Sequence, residues 1–396
     1  MKSIYMILLI IQIFFSSYAY AVNLESNELV SPTAPNIASR PWYQRFDVTG
    51  FAAVGAVWTG KGGADPFLHL HAREVSLNID AYSSEDVKFH IRWSLVPLTH
   101  EDDPISSSVQ FPELNVQLNG NIFKIPNKSI LLTVGRFAVP FSEEYLTHRS
   151  FDNSFLTNTV YFPYAFDNGI QLSGKSKGYD YALAVTDGSA IKSTQPQNTR
   201  STVLRIRKDY SSSLHMSASF MNQGYTSTSS AMELGGGTLS ATDTSIGGNA
   251  KYQMYHLDAK YDYSSNKNLK LGFGQATIED QNSTSPDSSI KLMFFNIEPR
   301  LEVNESRFIA LRYSRIQTSD SATGYQFKGE PFAVGDNYGF SSHSLSRTAI
   351  ATGYYLDPKA VLKFEYSYDQ FQLNDGVINQ ANLNRWFLGC DLAIKF

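Results

Sequence analysis

The chain has 396 residues, of which 42% are hydrophobic and 18% charged, with a formal net charge of −4, one cysteine, 23 Tyr and 26 Phe. That charge is too mild to imply nucleic acid as a partner, and the lone Cys390 excludes an internal disulfide and any cysteine-built zinc site. Beyond the N-terminal region no apolar run approaches the roughly 18 to 20 residues of a membrane helix. Any spanning structure is therefore a closed barrel, because only helices and closed barrels satisfy every backbone polar group in lipid.

At the N-terminus Lys2 precedes an apolar run over residues 4–15, then Ser16-Ser17-Tyr18 and the small-x-small triplet Ala19-Tyr20-Ala21. This pattern predicts a cleavable signal peptide over residues 1–21. Val22 and Asn23 stand where a lipoprotein would need cysteine, so no lipid anchor is expected. Residues 22–45 hold Pro32, Pro35 and Pro41 without a sustained period and read as a short periplasmic lead-in to a barrel domain over residues 46–396.

From residue 46 the apolar side chains recur with a period of two, the spacing of strands. Sixteen segments qualify: 46–59, 67–82, 86–97, 110–120, 128–139, 166–177, 178–187, 201–209, 213–223, 251–263, 268–279, 290–302, 306–317, 346–356, 359–370 and 384–396. Short turns at 83–85, 210–212, 264–267 and 357–358 interleave with long polar stretches at 190–200, 224–250 and 318–345. This alternation matches the periplasmic turns and external loops of outer-membrane barrels. The fold class is accordingly all-β, a transmembrane antiparallel barrel of about 16 strands, ending on the aromatic residue Phe396.

Faces can be assigned where the alternation is clean. Phe89, Ile91, Trp93 and Leu95 oppose Lys88, His90, Arg92 and Ser94; Leu204 and Ile206 oppose Arg205 and Arg207; Leu362, Phe364, Tyr366 and Tyr368 oppose Lys363, Glu365, Ser367 and Asp369. A lipid-facing Arg or Lys costs about 2 to 4 kcal/mol at the midplane, so these charges are expected to line a wet interior. Segments 128–139 and 290–302 read ambiguously. Tyr82, Tyr261, Tyr263, Tyr313, Tyr354 and Tyr355, near strand ends, are expected in headgroup-level girdles.

One stretch carries more information: Gly135-Arg136-Phe137-Ala138-Val139-Pro140-Phe141-Ser142-Glu143-Glu144-Tyr145-Leu146, returning at Asp167-Asn168-Gly169-Ile170-Gln171-Leu172 and Gly174. It resembles the phosphate-selective porin O and P family, outer-membrane porins with a G-[QR]-F-x-x-P-F-x-x-E-Y-L stretch followed by D-x-G-[IV]-Q-L-x-G. The strong part of the resemblance covers residues 135–188. It implies a sixteen-stranded, trimeric diffusion pore whose third external loop, here residues 140–165, folds inward and narrows the lumen. That loop would bring Glu143, Glu144, His148, Arg149 and Asp152 to the constriction. Selective members carry a lysine cluster there, whereas this loop has no Lys and two adjacent Glu.

What remains is a candidate basic wall track of Lys88, Arg92, Arg136, Lys175, Arg205, Arg207 and Arg312; the alternative is ordinary wall charge paired with Glu74, Asp258, Glu298 and Glu365. The expected function is passive diffusion of small hydrophilic solutes across the bacterial outer membrane, with a weak tilt toward phosphate-like anions. Outer-membrane lipid, lipopolysaccharide and a homotrimer are the expected partners. No catalytic residue, metal or cofactor is called for, and the chain is not read as an enzyme. Rival readings are a non-conducting structural or binding barrel and a barrel enzyme. His100-Glu101-Asp102-Asp103 reads as a solvated acidic loop, His69 and His71 lack helical metal spacing, and Gly60-Lys61-Gly62-Gly63 lacks the full phosphate-loop pattern.

Overall fold

The computed structural model describes residues 41, 44–61, 67–94, 110–123, 130–147, 149–161, 166–187, 200–227, 237–239, 249–280, 289–318, 325–327, 340–373 and 384–396. The segment read as a signal peptide, nearly all of the lead-in, the 100–103 acidic cluster and most of the long external loops lie outside these residues.

The strands are β1 (Phe46–Lys61), β2 (Phe67–Tyr82), β3 (Val87–Ser94), β4 (Gln110–Asn119), β5 (Ile130–Ala138), β6 (Phe166–Ser176), β7 (Tyr179–Thr186), β8 (Ser201–Asp209) and β9 (Leu214–Ser227). They continue as β10 (Gly237–Leu239), β11 (Asn249–Ser264), β12 (Lys267–Asp280), β13 (Ser289–Asn304), β14 (Arg307–Thr318), β15 (Tyr325–Phe327), β16 (Phe340–Asp357), β17 (Ala360–Leu373) and β18 (Arg385–Lys395). The three-residue β10 and β15 pair with each other, and β15 continues onto the end of β16. The other sixteen form the wall, each antiparallel to its neighbours, and β1 against β18 closes it. The terminal residue belongs to that seam: Phe396 N donates to Gly50 O at 3.0 Å and Gly50 N to Phe396 O at 2.7 Å.

The outward face is apolar, as alternation requires. Phe89, Leu204, Ile206, Leu257, Phe273, Ile297, Leu311, Phe364 and Leu388 are all exposed large hydrophobics, whereas Arg92, Arg205, Lys363 and Glu365 are buried inside. Such a surface is matched to lipid and not to water. Among the expected girdle tyrosines, Tyr261, Tyr263 and Tyr354 are exposed, joined by Tyr179 and Tyr210. Tyr355 departs from the expectation: its hydroxyl accepts from Arg300 at 2.9 Å and its ring packs on the buried Phe308. The short β6–β7 connection is a two-residue turn with Lys177 at φ 50° and Gly178 at φ 77°, the left-handed pair that suits strand twist.

Near the external end the lumen face is apolar. The register sets Ala184, Val203, Met221, Met254, Ala276 and Leu292 directly opposite one another across β7, β8, β9, β11, β12 and β13. A second run, Phe294, Ile316, Leu345 and Phe371, continues it across β13, β14, β16 and β17. This collar forms one buried cluster with Phe137, Val139, Phe141, Val160 and Tyr161. It explains the two ambiguous segments. β5 and β13 carry apolar residues on both faces because one face meets lipid and the other meets the polypeptide inside the barrel.

Candidate functional site

The connection between β5 and β6 lies inside the barrel, as the inward-loop expectation requires. Its entry is fixed by Ser142, a non-glycine residue at φ 62°, which costs strain. Ser142 N donates to Ser219 Oγ on β9 at 3.0 Å, and Ser142 Oγ accepts from Glu144 N at 3.1 Å, opening the short helical turn Glu144–Thr147. Farther along, Phe155 is fully buried in a pit of small wall residues that includes Ala53, Ala310, Ala349, Ala351 and Ala393. Leu156 packs on Val57 and Phe387. At the return, Tyr161 Oη donates to Asn296 Oδ1 at 2.5 Å, and burial pushes the Tyr161 hydroxyl well above its ordinary range, so it stays protonated as that donor.

The loop residues proposed from sequence occupy distinct roles. Glu143 accepts from Arg205 Nε at 3.1 Å and from its terminal nitrogen at 2.5 Å, while Arg207 stands 3.7 Å from it. Glu144 turns back on its own loop, accepting from Thr159 N at 3.0 Å and Thr159 Oγ1 at 2.6 Å. Arg149 lies over the Phe51 ring at 4.5 Å and 3.9 Å from Glu113; Asp152 is exposed. His148 lies outside the described residues.

The basic track fares differently. Arg92 pairs with Glu74 at 2.7 Å and Glu113 at 3.3 Å, Arg312 with Glu298 at 3.0 Å, and Lys88 with Asp80 at 3.3 Å. Lys175 is exposed near the end of β6 on the inward parity, opposite Asp180. Arg136 must be corrected. It pairs with Leu114 on one side and Asn168 on the other, both exposed on the outer face, while Thr133 and Phe137 on the other parity are buried. Directly opposed residues share a face, so Arg136 does not line the lumen. The misassignment arose in the segment whose two apolar faces hid the period.

Sequence reasoning missed a ladder on the lumen face nearer the short turns. Asp209, His215, Lys260, Lys270 and Glu298 stand directly opposite one another in succession on β8, β9, β11, β12 and β13. Lys260 is 3.2 Å from Asp262 and Lys270 is 3.2 Å from Glu298. With the loop above, His215, Lys260, Lys270 and Glu298 of this ladder line a cavity of about 250 Å³ that also receives Glu143, Arg207 and Asp258. Clean alternation in β11 and β12, combined with strand register, is the signal that would have found it. His256, buried and flanked by Phe141, Tyr161 and Phe294, sits 3.0 Å from Asp258 through Nδ1 and was also missed.

The geometry can sieve solutes past a loop and expose them to paired charges of both signs. No protein-family model and no curated protein matches the sequence. Solved structures do share the fold. The chain is similar to OmpT, an outer membrane protein of Vibrio cholerae, in its trimer form, with a TM-score of 0.58, 8% identity, and coverage of 89% of this chain and 99% of that one. OprB of Pseudomonas putida gives 0.55 at 8% identity over 89% and 95%, and Salmonella typhi OmpF in complex with daunomycin gives 0.53 at 12% over 89% and 97%. The fold is that of a bacterial outer-membrane β-barrel of the porin type.

Proposed function

We propose that this barrel sits in the bacterial outer membrane and passes small hydrophilic solutes by passive diffusion, with size set at the inward loop. The observation that carries the reading is the closed sixteen-stranded wall around a charged lumen narrowed by the β5–β6 loop. A field focused in such a low-dielectric channel changes local ion concentrations. Insertion of the purified protein into a planar bilayer is the test. Stepwise conductance supports the pore, and its absence in correctly folded protein refutes it.

The finer part of the proposal is a weak tilt toward anions, the remnant of what the phosphate-porin resemblance implies. Five of the seven track residues, Lys88, Arg92, Arg205, Arg207 and Arg312, pair with carboxylates, which argues against strong selectivity. Lys260 and Lys270 are better placed, because Lys270 is 30% exposed while its partner Glu298 is only 4% exposed. A salt-gradient reversal potential of the anionic sign supports the tilt; the cationic sign removes it. Assembly as a homotrimer in contact with lipid and lipopolysaccharide completes the proposal, and the mass of the unheated complex in detergent tests the trimer.

A non-conducting barrel is the second reading. It is favoured by the loop's contacts with β1, β2, β8, β9, β11, β13, β14, β16, β17 and β18, ten of the sixteen wall strands. The same bilayer measurement separates the two.

A further inference from the structure

Wall charges bind the loop over residues 150–158, mostly by its backbone and also through three of its side chains. Ser150 N donates to Glu74 on β2 at 3.1 Å, and the Lys363 ammonium on β17 donates to Ser150 O and, at 3.2 Å, to Asn153 O. Arg312 on β14 donates to Thr157 O at 2.7 Å and Asn153 Oδ1 at 3.2 Å; Arg347 on β16 donates to Asn158 O at 3.1 Å; Arg300 on β13 donates to Ser154 Oγ at 2.9 Å. At the centre stands Glu365 on β17, 1% exposed. Its carboxylate accepts from three loop donors: Leu156 N, Thr157 N at 3.0 Å and Thr157 Oγ1 at 2.6 Å.

These contacts differ from ordinary lumen charge. A wall charge facing a permeating solute keeps its polar atoms toward water, whereas Glu365 spends its on one loop turn more than two hundred residues away in sequence, 209 from Leu156. A carboxylate buried under three loop donors is held by them only while the loop is docked; when it leaves, water from the lumen must replace all three. The attraction is therefore conditional on docking, which is the property of a latch. The apolar seat around Phe155 supplies affinity without a preferred register, and the Glu365 carboxylate supplies the register.

We propose that Glu365 is the positioning residue that latches the inward loop across the lumen, and that it thereby sets the aperture of the pore. The aperture rests on the diffusion reading above, but the latch does not, and the two are separable by experiment. In Glu365→Gln the amide oxygen can still face the two N–H donors and the NH2 can meet the Thr157 hydroxyl, so the shape is kept while the anionic, charge-assisted part of all three bonds is lost. The loop then undocks more often. Trypsin cleavage after Arg149, read by mass spectrometry on detergent-solubilised barrel, is a readout that does not require conduction. Losing the charge-assisted part of these bonds raises the open population on the order of tenfold, and cleavage of a transiently opened segment follows that population.

Thr157→Val removes one of the three donors from the loop side and should accelerate cleavage less. The double variant should be accelerated by less than the product of the two single effects, because both substitutions weaken the same contact. In bilayers, Glu365→Gln should give larger or noisier unitary conductance, with unchanged heat-modifiable mobility of the barrel. Wild-type cleavage of the folded Glu365→Gln protein overturns the latch. If that variant fails to fold, Thr157→Val decides alone, and a wild-type cleavage rate there overturns the latch as well. Silence of every variant in bilayers with accelerated cleavage would refute the pore and leave the latch standing.

Discussion

Replacing Phe155 by Ala tests whether the loop is held by packing as much as by charge. Phe155 is 0% exposed, set among Ala53, Ala310, Ala349, Ala351, Val361 and Ala393, with the Arg312 guanidinium 4.0 Å from its ring centroid. An aromatic side chain buries about 150–250 Å², so at about 25 cal/mol per Å² the transfer is worth roughly 4 to 6 kcal/mol as an upper bound. Measured Phe-to-Ala losses in cores run about 3 to 5 kcal/mol. The pit opens on a lumen that water can refill, which favours the low end, about 3 kcal/mol, or roughly a hundredfold in the docking equilibrium. The barrel itself should remain intact, because the pit belongs to strands whose hydrogen-bond ladders do not involve Phe155. Tryptic cleavage after Arg149 should accelerate accordingly, with frequent larger sublevels in single-channel records. Equal cleavage rates and quiet records in folded protein would refute the packing argument.

Lys260→Gln with Lys270→Gln should lower the anion-to-cation permeability ratio about two- to fourfold, since two charges roughly 8 Å from a permeating ion each contribute about 0.5 kcal/mol before salt screening; the reversal potential in a salt gradient reads it. Gly272→Ala would bring a Cβ to 2.1 Å from Asn296 Oδ1 and 2.7 Å from Tyr161 Oη, so the loop's return should loosen, and hydrogen exchange at residues 159–161 should rise without loss of the barrel. Arg136→Gln should leave conductance and selectivity unchanged, because that side chain shares the outer face with Leu114; a selectivity change would return Arg136 to the lumen.

Strand positions were legible in the sequence because the outer face demands unbroken alternation. Leu204 and Ile206 against Arg205 and Arg207 needed no other information, whereas the inward loop was expected only from the family resemblance that the motif after β5 carries. The faces became illegible where the inner side is also apolar. Phe137 in β5 and Leu292 with Phe294 in β13 meet the loop and its collar, so the period disappears into a continuous apolar run. The state of the charges was legible only as two alternatives, a basic track or wall charge paired with carboxylates. Parity says that Arg92 and Arg312 point inward, and register places Glu74 and Glu298 beside them, which selects the paired reading there. The ladder from Asp209 to Glu298 is register information of the same kind.

The buried pairs change how a selectivity experiment must be designed. Removing Arg205 and Arg207 together looks at first like a clean subtraction of two lumen charges, yet the two side chains do different things. Arg205 is 1% exposed, bonds Glu143 twice, and lies over the Tyr145 ring at 5.4 Å, so it holds the loop's first turn. Arg207 is 26% exposed, 3.0 Å from Asp209 and 3.7 Å from Glu143, so its charge faces the cavity while its loop contact is loose. Separate variants resolve the two. Arg205→Gln leaves the Glu143 carboxylate with a neutral amide and the looser Arg207 contact, and because Glu143 is 29% exposed the loss is softened by water to about 1 to 2 kcal/mol, on the order of a tenfold increase in loop opening. It should therefore accelerate cleavage after Arg149 and alter conductance. Arg207→Gln should leave cleavage near wild type and move the reversal potential toward cations. The opposite assignment, with Arg207 controlling cleavage and Arg205 controlling only selectivity, would mean that the first loop turn is held by something other than the Glu143 pair.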